Sequence, residues 1–145
     1  MSKKSQQMNL KTSKIISLPK ILDSRGSLSF FENSNQIPFD IKRTYWIYDV
    51  PGGGTRGGHA FKNSHEFIIS LSGSFDVILN DGKKELKFSL NRSYYGLYVP
   101  SMFWRRIENF ATNSLALIVS SVPYDDADYI RDFEEFKILR NEAKK

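Results

Sequence analysis

The sequence predicts an all-β domain, a sandwich or jelly roll, finished by a short helix. Three observations carry that expectation. Short apolar or alternating runs recur at regular spacing, with Gly, Pro, Asn or Asp between them. Asn80-Asp81-Gly82 is a strong hairpin turn, because Asp-Gly tolerates positive φ. The character changes only after Pro123, where acidic residues precede Tyr129, Phe133 and Phe136 at i, i+4 and i+7.

The elements follow in order. Residues 1–13 read as a polar tail, disordered or extended. Residues 14–18 form a short strand ending at Pro19, and Asp23-Ser24-Arg25-Gly26 is a turn. Residues 27–32 alternate like a half-buried strand, and residues 33–39 are a loop. Residues 41–50 form a strand that puts Ile41, Arg43, Tyr45 and Ile47 on one face. Pro51-Gly52-Gly53-Gly54 is a loop. Phe67-Ile68-Ile69-Ser70-Leu71 is an apolar run expected to be buried, closed by a turn at Ser72-Gly73-Ser74. Strands are then expected at 75–79, 84–90, 94–99, 104–108 and 115–121. Asp125 or Asp126 caps a short helix, whose dipole suits acids in its first turn. Residues 14–140 are expected to be a single domain and residues 141–145 a tail.

Composition narrows the function classes. The chain of 145 residues contains no Cys, which excludes disulfides, thiol nucleophiles and thiolate metal sites. Apolar residues make up 40%, enough at this length for a core that needs no metal or disulfide. The formal charge is +5, but many lysines sit at the two ends, as solvated tails would carry them. No basic helix or aromatic RNA-binding motif supports a nucleic-acid partner. No apolar run has the length of a membrane span, and the basic N-terminus lacks the apolar segment of a secretory signal. The expected location is the cytoplasm.

The chain is organised around residues 56–73, RGGHAFKNSHEFIISLSG. Gly57 and Gly58 let the backbone bend just before His59, and Lys62 and Glu66 follow before the buried run. This stretch resembles the first signature of the cupin superfamily: Gly53 stands six residues before His59, Glu66 takes the acidic ligand position and Gly73 the closing glycine. Phe61 occupies the place of the second histidine. The second signature reads from Gly96 through Pro100, Met102 and Arg105 to Asn109, with a shortened spacer. There Met102 replaces a glycine and Arg105 the last histidine ligand. Arginine offers no lone pair to a metal, and His59 with Glu66 falls short of the three or four ligands a transition ion takes. The resemblance therefore implies a cupin-type jelly-roll β-barrel with a short C-terminal helix and without metal.

A narrower resemblance spans residues 15–136. Asp23-x-Arg25-Gly-Ser-Leu, Ile37-Pro-Phe-x-Ile-Lys-Arg43-x-Tyr45, Arg56-Gly-Gly-His59-Ala-x-Lys62, Leu71-Ser-Gly-Ser and Asp125-x-x-Asp-Tyr-Ile-Arg-Asp are together similar to the sugar 3,4-ketoisomerases of the WxcM-like (FdtA/QdtA-type) family. That resemblance implies an intramolecular oxidoreductase moving the ketone of a dTDP-linked 4-keto-6-deoxyhexose from C4 to C3. It implies no cofactor, a product that supplies a 3-amino-3,6-dideoxy sugar of surface glycans, and a homodimer with exchanged N-terminal strands. The family pattern is His-Ala-His-Lys, so Phe61 departs from it.

The chemistry asks for a base at C3, an acid at C4, a stabiliser of the enediolate and a hold on the diphosphate. His59 suits the first two roles, since imidazole titrates near neutrality and C3 and C4 are adjacent. Arg25 and Arg105 are candidates for the oxyanion, and Tyr45 for a sugar oxygen or a proton relay. Arg56 and Lys62 are candidates for the diphosphate, while Phe61 and Glu66 line the substrate site. Each residue has a plainer reading: Arg25 as a turn residue, Tyr45 as core, Glu66 as a partner for an arginine. His65 is expected on the surface. A non-catalytic sugar-nucleotide-binding cupin is the alternative function.

Overall fold

Side chains of a strand alternate between two faces, so a run buried on both faces must lie between two cores. The computed structural model, which describes residues 12–143, resolves the chain accordingly. The tail expected over residues 1–13 lies outside them apart from its last two residues. Twelve strands follow in order: β1 Lys14–Ser17, β2 Lys20–Ile21, β3 Leu28–Ser29, β4 Arg43–Ile47, β5 Arg56–Phe61 and β6 Glu66–Ser72. Then come β7 Phe75–Asn80, β8 Glu85–Leu90, β9 Tyr95–Val99, β10 Trp104–Glu108, β11 Leu115–Ser120 and β12 Tyr129–Ile130. A helix, α1, covers Phe133–Ala143 and so takes in part of the segment expected as a tail.

Two five-stranded antiparallel sheets, ordered β1-β9-β6-β11-β4 and β12-β5-β10-β7-β8, make a jelly-roll barrel. Ile68, Leu97, Val99 and Ile118 of the first sheet pack against Val77, Leu79 and Ile107 of the second in the central core. On the outside of the first sheet, Phe67, Ile69 and Tyr98 are covered by Leu18, Ile37 and Phe39 from the chain leading to β4. Strand β6 lies between these two cores, and its buried apolar run follows from that position. Residues 27–32, expected to alternate as a strand, pair only at Leu28 and Ser29, in a two-stranded ribbon with β2.

The expected helix at residue 125 divides into three pieces. Asp125 accepts from Ala127 N and caps a single 3₁₀ turn, Asp126–Asp128. Tyr129 and Ile130 then join the second sheet beside Phe61 and Ala60. The α-helix begins only after Asp132, whose backbone and side-chain oxygens accept from Phe136 N and Glu135 N. Phe133 and Phe136 face Ala60, Ile130 and Trp104 in a third, smaller core.

Gly96 shows how closely the first sheet is packed. A Cβ built there lies 2.4 Å from Phe67 Cζ and 2.6 Å from the Ile68 carbonyl oxygen. The ring can turn aside, but the carbonyl belongs to the neighbouring strand's ladder. Gly96→Ala should therefore lower stability by about 1–3 kcal/mol, the usual cost of overpacking. Urea denaturation checks this, and an unchanged midpoint contradicts the packing described.

Candidate active site

A bulge aims the principal side chain of the site. On β10, Arg105 pairs with His59 and Arg106 with Gly57, so Gly58 is an extra residue opposite no partner. Gly57 and Gly58 have φ of 99° and 100°, a region that favours glycine. A Cβ on Gly57 would also approach Arg106 Cα to 3.2 Å. After this bulge the alternation of β5 turns Ala60 toward the helix and His59 and Phe61 toward the barrel interior.

The polar wall of the interior is a three-membered cluster joining both sheets. Arg105 Nε donates to Glu66 Oε1 at 2.6 Å, and Arg105 Nη2 donates to the Tyr45 hydroxyl at 2.8 Å. The Tyr45 hydroxyl donates to Glu66 Oε2, which closes the triangle. Glu66 and Arg105 are 1% and 2% exposed, so this is a buried ion pair. Burial holds the Tyr45 phenol well above its ordinary range, Arg105 opposing and Glu66 adding to the rise. The carbon of the Arg105 guanidinium lies 5.9 Å from the centre of the Phe61 ring.

His59 stands among aromatic rings. Its ring centre is 4.9 Å from that of Phe61 and 5.1 Å from that of Tyr129. Its Nε2 is buried without a hydrogen-bond partner. Burial pushes its pKa down to about 3, and the cations Arg105, Arg131 and Arg43 push the same way. The imidazole is thus neutral at physiological pH and free to accept a proton. Arg43 closes the wall, its guanidinium carbon 4.8 Å from the Tyr45 ring centre and 5.4 Å from that of Tyr124.

The structure brings together His59, Phe61, Glu66, Tyr45 and Arg105 among the residues named from sequence. Arg56 and Lys62 lie exposed at the two ends of β5, flanking these residues in the chain. Arg25 lies apart. Its side chain is 88% exposed in the β2–β3 turn and makes two hydrogen bonds to Asp23. His65, expected at the surface, is half-buried, with Nδ1 3.0 Å from the Tyr98 hydroxyl. Sequence reasoning missed Tyr129 as a site residue, and it counted Arg43 only among the cations near motif positions that could favour a small anion such as a diphosphate. Arg43 shared a face with Tyr45 in the alternation of its strand, which was a usable signal. Tyr129 was hidden by its fit to a helical spacing, although its backbone is a strand.

Among the described residues no three His, Cys, Asp or Glu side chains converge as metal ligands would. The positions of the cupin ligand pattern do converge, but one is a phenyl ring and another is itself a cation bonded to Glu66. Met102, at the pattern's glycine position, keeps a glycine-like φ of 65°. Its N donates to the Phe61 carbonyl.

Residues 11–141 match the FdtA family, described as WxcM-like, C-terminal. The protein named TDP-4-oxo-6-deoxy-alpha-D-glucose-3,4-oxoisomerase from Aneurinibacillus thermoaerophilus is 40% identical over 124 residues, 86% of this chain and 89% of that one. The solved structure of WlaRB, a TDP-quinovose 3,4-ketoisomerase from Campylobacter jejuni, is 45% identical with a TM-score of 0.84, covering 88% of this chain and 98% of that one. A histidine-to-asparagine variant of the 3,4-ketoisomerase QdtA from Thermoanaerobacterium thermosaccharolyticum was solved with TDP-4-keto-6-deoxyglucose. It is 33% identical with a TM-score of 0.87, covering 90% and 94% of the two chains.

The depressed pKa of His59 has a consequence for stability. Between about pH 3 and the ordinary histidine value near 6.5, the unfolded chain binds a proton at this residue that the folded chain refuses. Its effect on stability is absent above that window, and stability falls as pH drops through it. The wild type should therefore lose more stability between pH 7 and pH 4.5 than His59→Asn does, as read by urea denaturation at the two pH values. Equal losses would mean that His59 is solvated.

Proposed function

The chain belongs to the FdtA family, and on that premise we propose that it is a 3,4-ketoisomerase of a TDP-linked 4-keto-6-deoxyhexose. The ketone moves from C4 to C3 by proton transfer, and the product supplies a 3-amino-3,6-dideoxy sugar for surface glycans. One observation carries the reading: a neutral imidazole, His59, faces the interior of a barrel lined by a hydrogen-bonded tyrosine and arginine.

Roles follow from these positions. His59 takes the proton from C3 and returns one to C4. Tyr45 and Arg105 form the polar wall against which the sugar hydroxyls rest, and Glu66 holds both in place. Phe61 supplies an apolar face under the ring. Arg56 and Lys62, exposed at the ends of β5, hold the diphosphate. Arg25 takes no step within a single chain, because its guanidinium is spent on Asp23. A base with so low a pKa is weak, but the bound substrate improves it. The negative diphosphate offsets the part of the depression that Arg105, Arg131 and Arg43 contribute.

The assembly proposed is a homodimer with exchanged N-terminal strands. It is supported by β1, a four-residue strand on the open edge of the first sheet, with Ile15 exposed. It is also supported by the apolar groove of Trp46, Tyr48, Leu71, Leu115 and Leu117 on that sheet. The compartment proposed is the cytoplasm, in keeping with a chain that has no Cys. Sedimentation velocity at micromolar concentration should give a dimer, and a monomer would exclude the exchange.

His59→Asn keeps polarity and approximate size but cannot act as a base at neutral pH. Its turnover of TDP-4-keto-6-deoxyglucose should fall by about 10²- to 10⁴-fold, while its affinity for TDP changes little. NMR of the reaction in D₂O reads this directly, through deuterium entering at C4 of the product. Near-normal turnover by the variant would move the proton-carrier role to another group. No turnover by the wild type would favour the non-catalytic binding protein.

A further inference from the structure

Two arginines reach into the barrel, and their charges are treated in opposite ways. Arg105 is compensated by Glu66, and two of its nitrogens are committed to Glu66 and Tyr45. Arg43 takes part in none of the ion pairs found among the described residues. Its Nε is buried without a hydrogen-bond partner. Its Nη2 lies 3.5 Å from the Tyr129 hydroxyl, too long for a strong bond. The rings of Tyr45 and Tyr124 face its guanidinium, and their π-electrons attract a cation without neutralising it. A half-buried cation left in this state is costly to keep, and fold stability gains nothing from it.

Tyr129 connects this cation to the base. Its hydroxyl is the group near Arg43, and its ring packs 5.1 Å from that of His59. Both His59 Nε2 and Arg43 Nε are buried polar atoms without partners. Resting on the isomerase reading above, we infer that Arg43 is the cation that stabilises the enediolate oxyanion of the reaction. The ligand class it selects is a 2-hydroxy ketone whose charge appears only during reaction.

The electron count shows where that charge forms. His59 removes hydrogen from C3 as a proton, the C–H pair becomes a C3=C4 double bond, and the carbonyl π pair moves onto O4. The O3 proton then passes to O4, the negative charge moves to O3, and C4 takes a proton from the imidazolium. The product has a ketone at C3 and a hydroxyl at C4, with no oxidant or reductant consumed. The charge therefore sits on O4 and then O3, adjacent atoms that one guanidinium fork can span. Arg105 is less suited, because its charge is already neutralised by Glu66 before substrate arrives. The diphosphate is charged before and after reaction, so the exposed Arg56 and Lys62 can serve it from solvent. An uncompensated cation in a low-dielectric wall is worth most where charge develops in the transition state.

The test uses the full chain and TDP-4-keto-6-deoxyglucose. Arg43→Ala should lower kcat by about 10²- to 10³-fold, with KM and the affinity for TDP within about threefold of wild type. Added guanidinium ion should restore part of the turnover of Arg43→Ala and none of that of His59→Asn, which a merely structural role would not produce. If Arg43→Ala does not fold, Arg43→Gln carries the same kcat expectation and preserves most of the side-chain volume. Turnover by either variant within about fivefold of wild type overturns the assignment. A large loss of TDP affinity with kcat retained also overturns it and moves Arg43 to the diphosphate. An inactive wild type would instead remove the isomerase reading, and this inference with it.

Discussion

The barrel is organised by the ion pair between Arg105 and Glu66, because it is where the two sheets exchange charge across the interior. Glu66 begins β6 in one sheet, and Arg105 lies on β10 in the other. Taking two charges out of water costs several kcal/mol for each ion, and their attraction returns a comparable amount when the geometry is good. The pair thus adds little net stability over an apolar filling, yet removing one member would leave the other buried and unpaired, at a cost of about 3–5 kcal/mol. Its value is in specification. It fixes the guanidinium over Phe61 and locks the Tyr45 hydroxyl between a donor and an acceptor.

Because that pair is internally neutral, the remaining groups set the electrostatics of the site. Among the described residues no carboxylate is hydrogen-bonded to His59 to draw a proton onto the ring, and burial with three arginines nearby keeps it neutral. Burial likewise keeps Tyr45 protonated. Among the described residues the site therefore combines a neutral imidazole, an undissociated phenol and an arginine without an ion-pair partner, an arrangement suited to the proposed reaction, which makes an anion and then removes it. The fold serves this arrangement locally. The Gly57-Gly58 bulge turns His59 inward, and Asp128 accepts from Lys62 N and Asn63 N, fastening the segment that carries Tyr129 to the end of β5.

Much of this was legible in the sequence because motif spacing is enforced by backbone geometry. The distances from Gly53 to His59, Glu66 and Gly73 reflect a bulge, a strand start and a tight turn, all of which occur where the pattern puts them. Strand alternation leaves one of the adjacent Arg105 and Arg106 inside, and motif spacing picked Arg105, the one that is buried. Tyr129 was not legible, because a spacing of i, i+4, i+7 fits a helix and does not reveal that the first residue belongs to a strand. That depends on a ladder with Phe61 and Ala60, residues nearly seventy positions earlier, which no local pattern encodes. Arg25 lies apart from the site within a single chain for a related reason. A motif conveys that a residue recurs, whereas its partner Asp23, two positions away, gives it a local task in the turn.

The two departures from the cupin ligand pattern are better understood as one change. A metal-holding barrel brings several lone pairs to one point and places the positive charge on the ion. Here Arg105 brings the positive charge on a side chain, which needs acceptors and π faces around it rather than more nitrogen donors. Glu66 and Phe61 supply these. A second imidazole at position 61 would lie beside the guanidinium and would have to stay neutral to avoid repulsion, so it would offer little as an acid. A phenyl ring at that position gives up proton chemistry that the neighbouring cation already disfavours, and it provides a dry wall for His59. A phenyl ring at position 61 and a buried arginine at position 105 are thus physically compatible, and on the proposed mechanism the proton work falls to the single imidazole of His59.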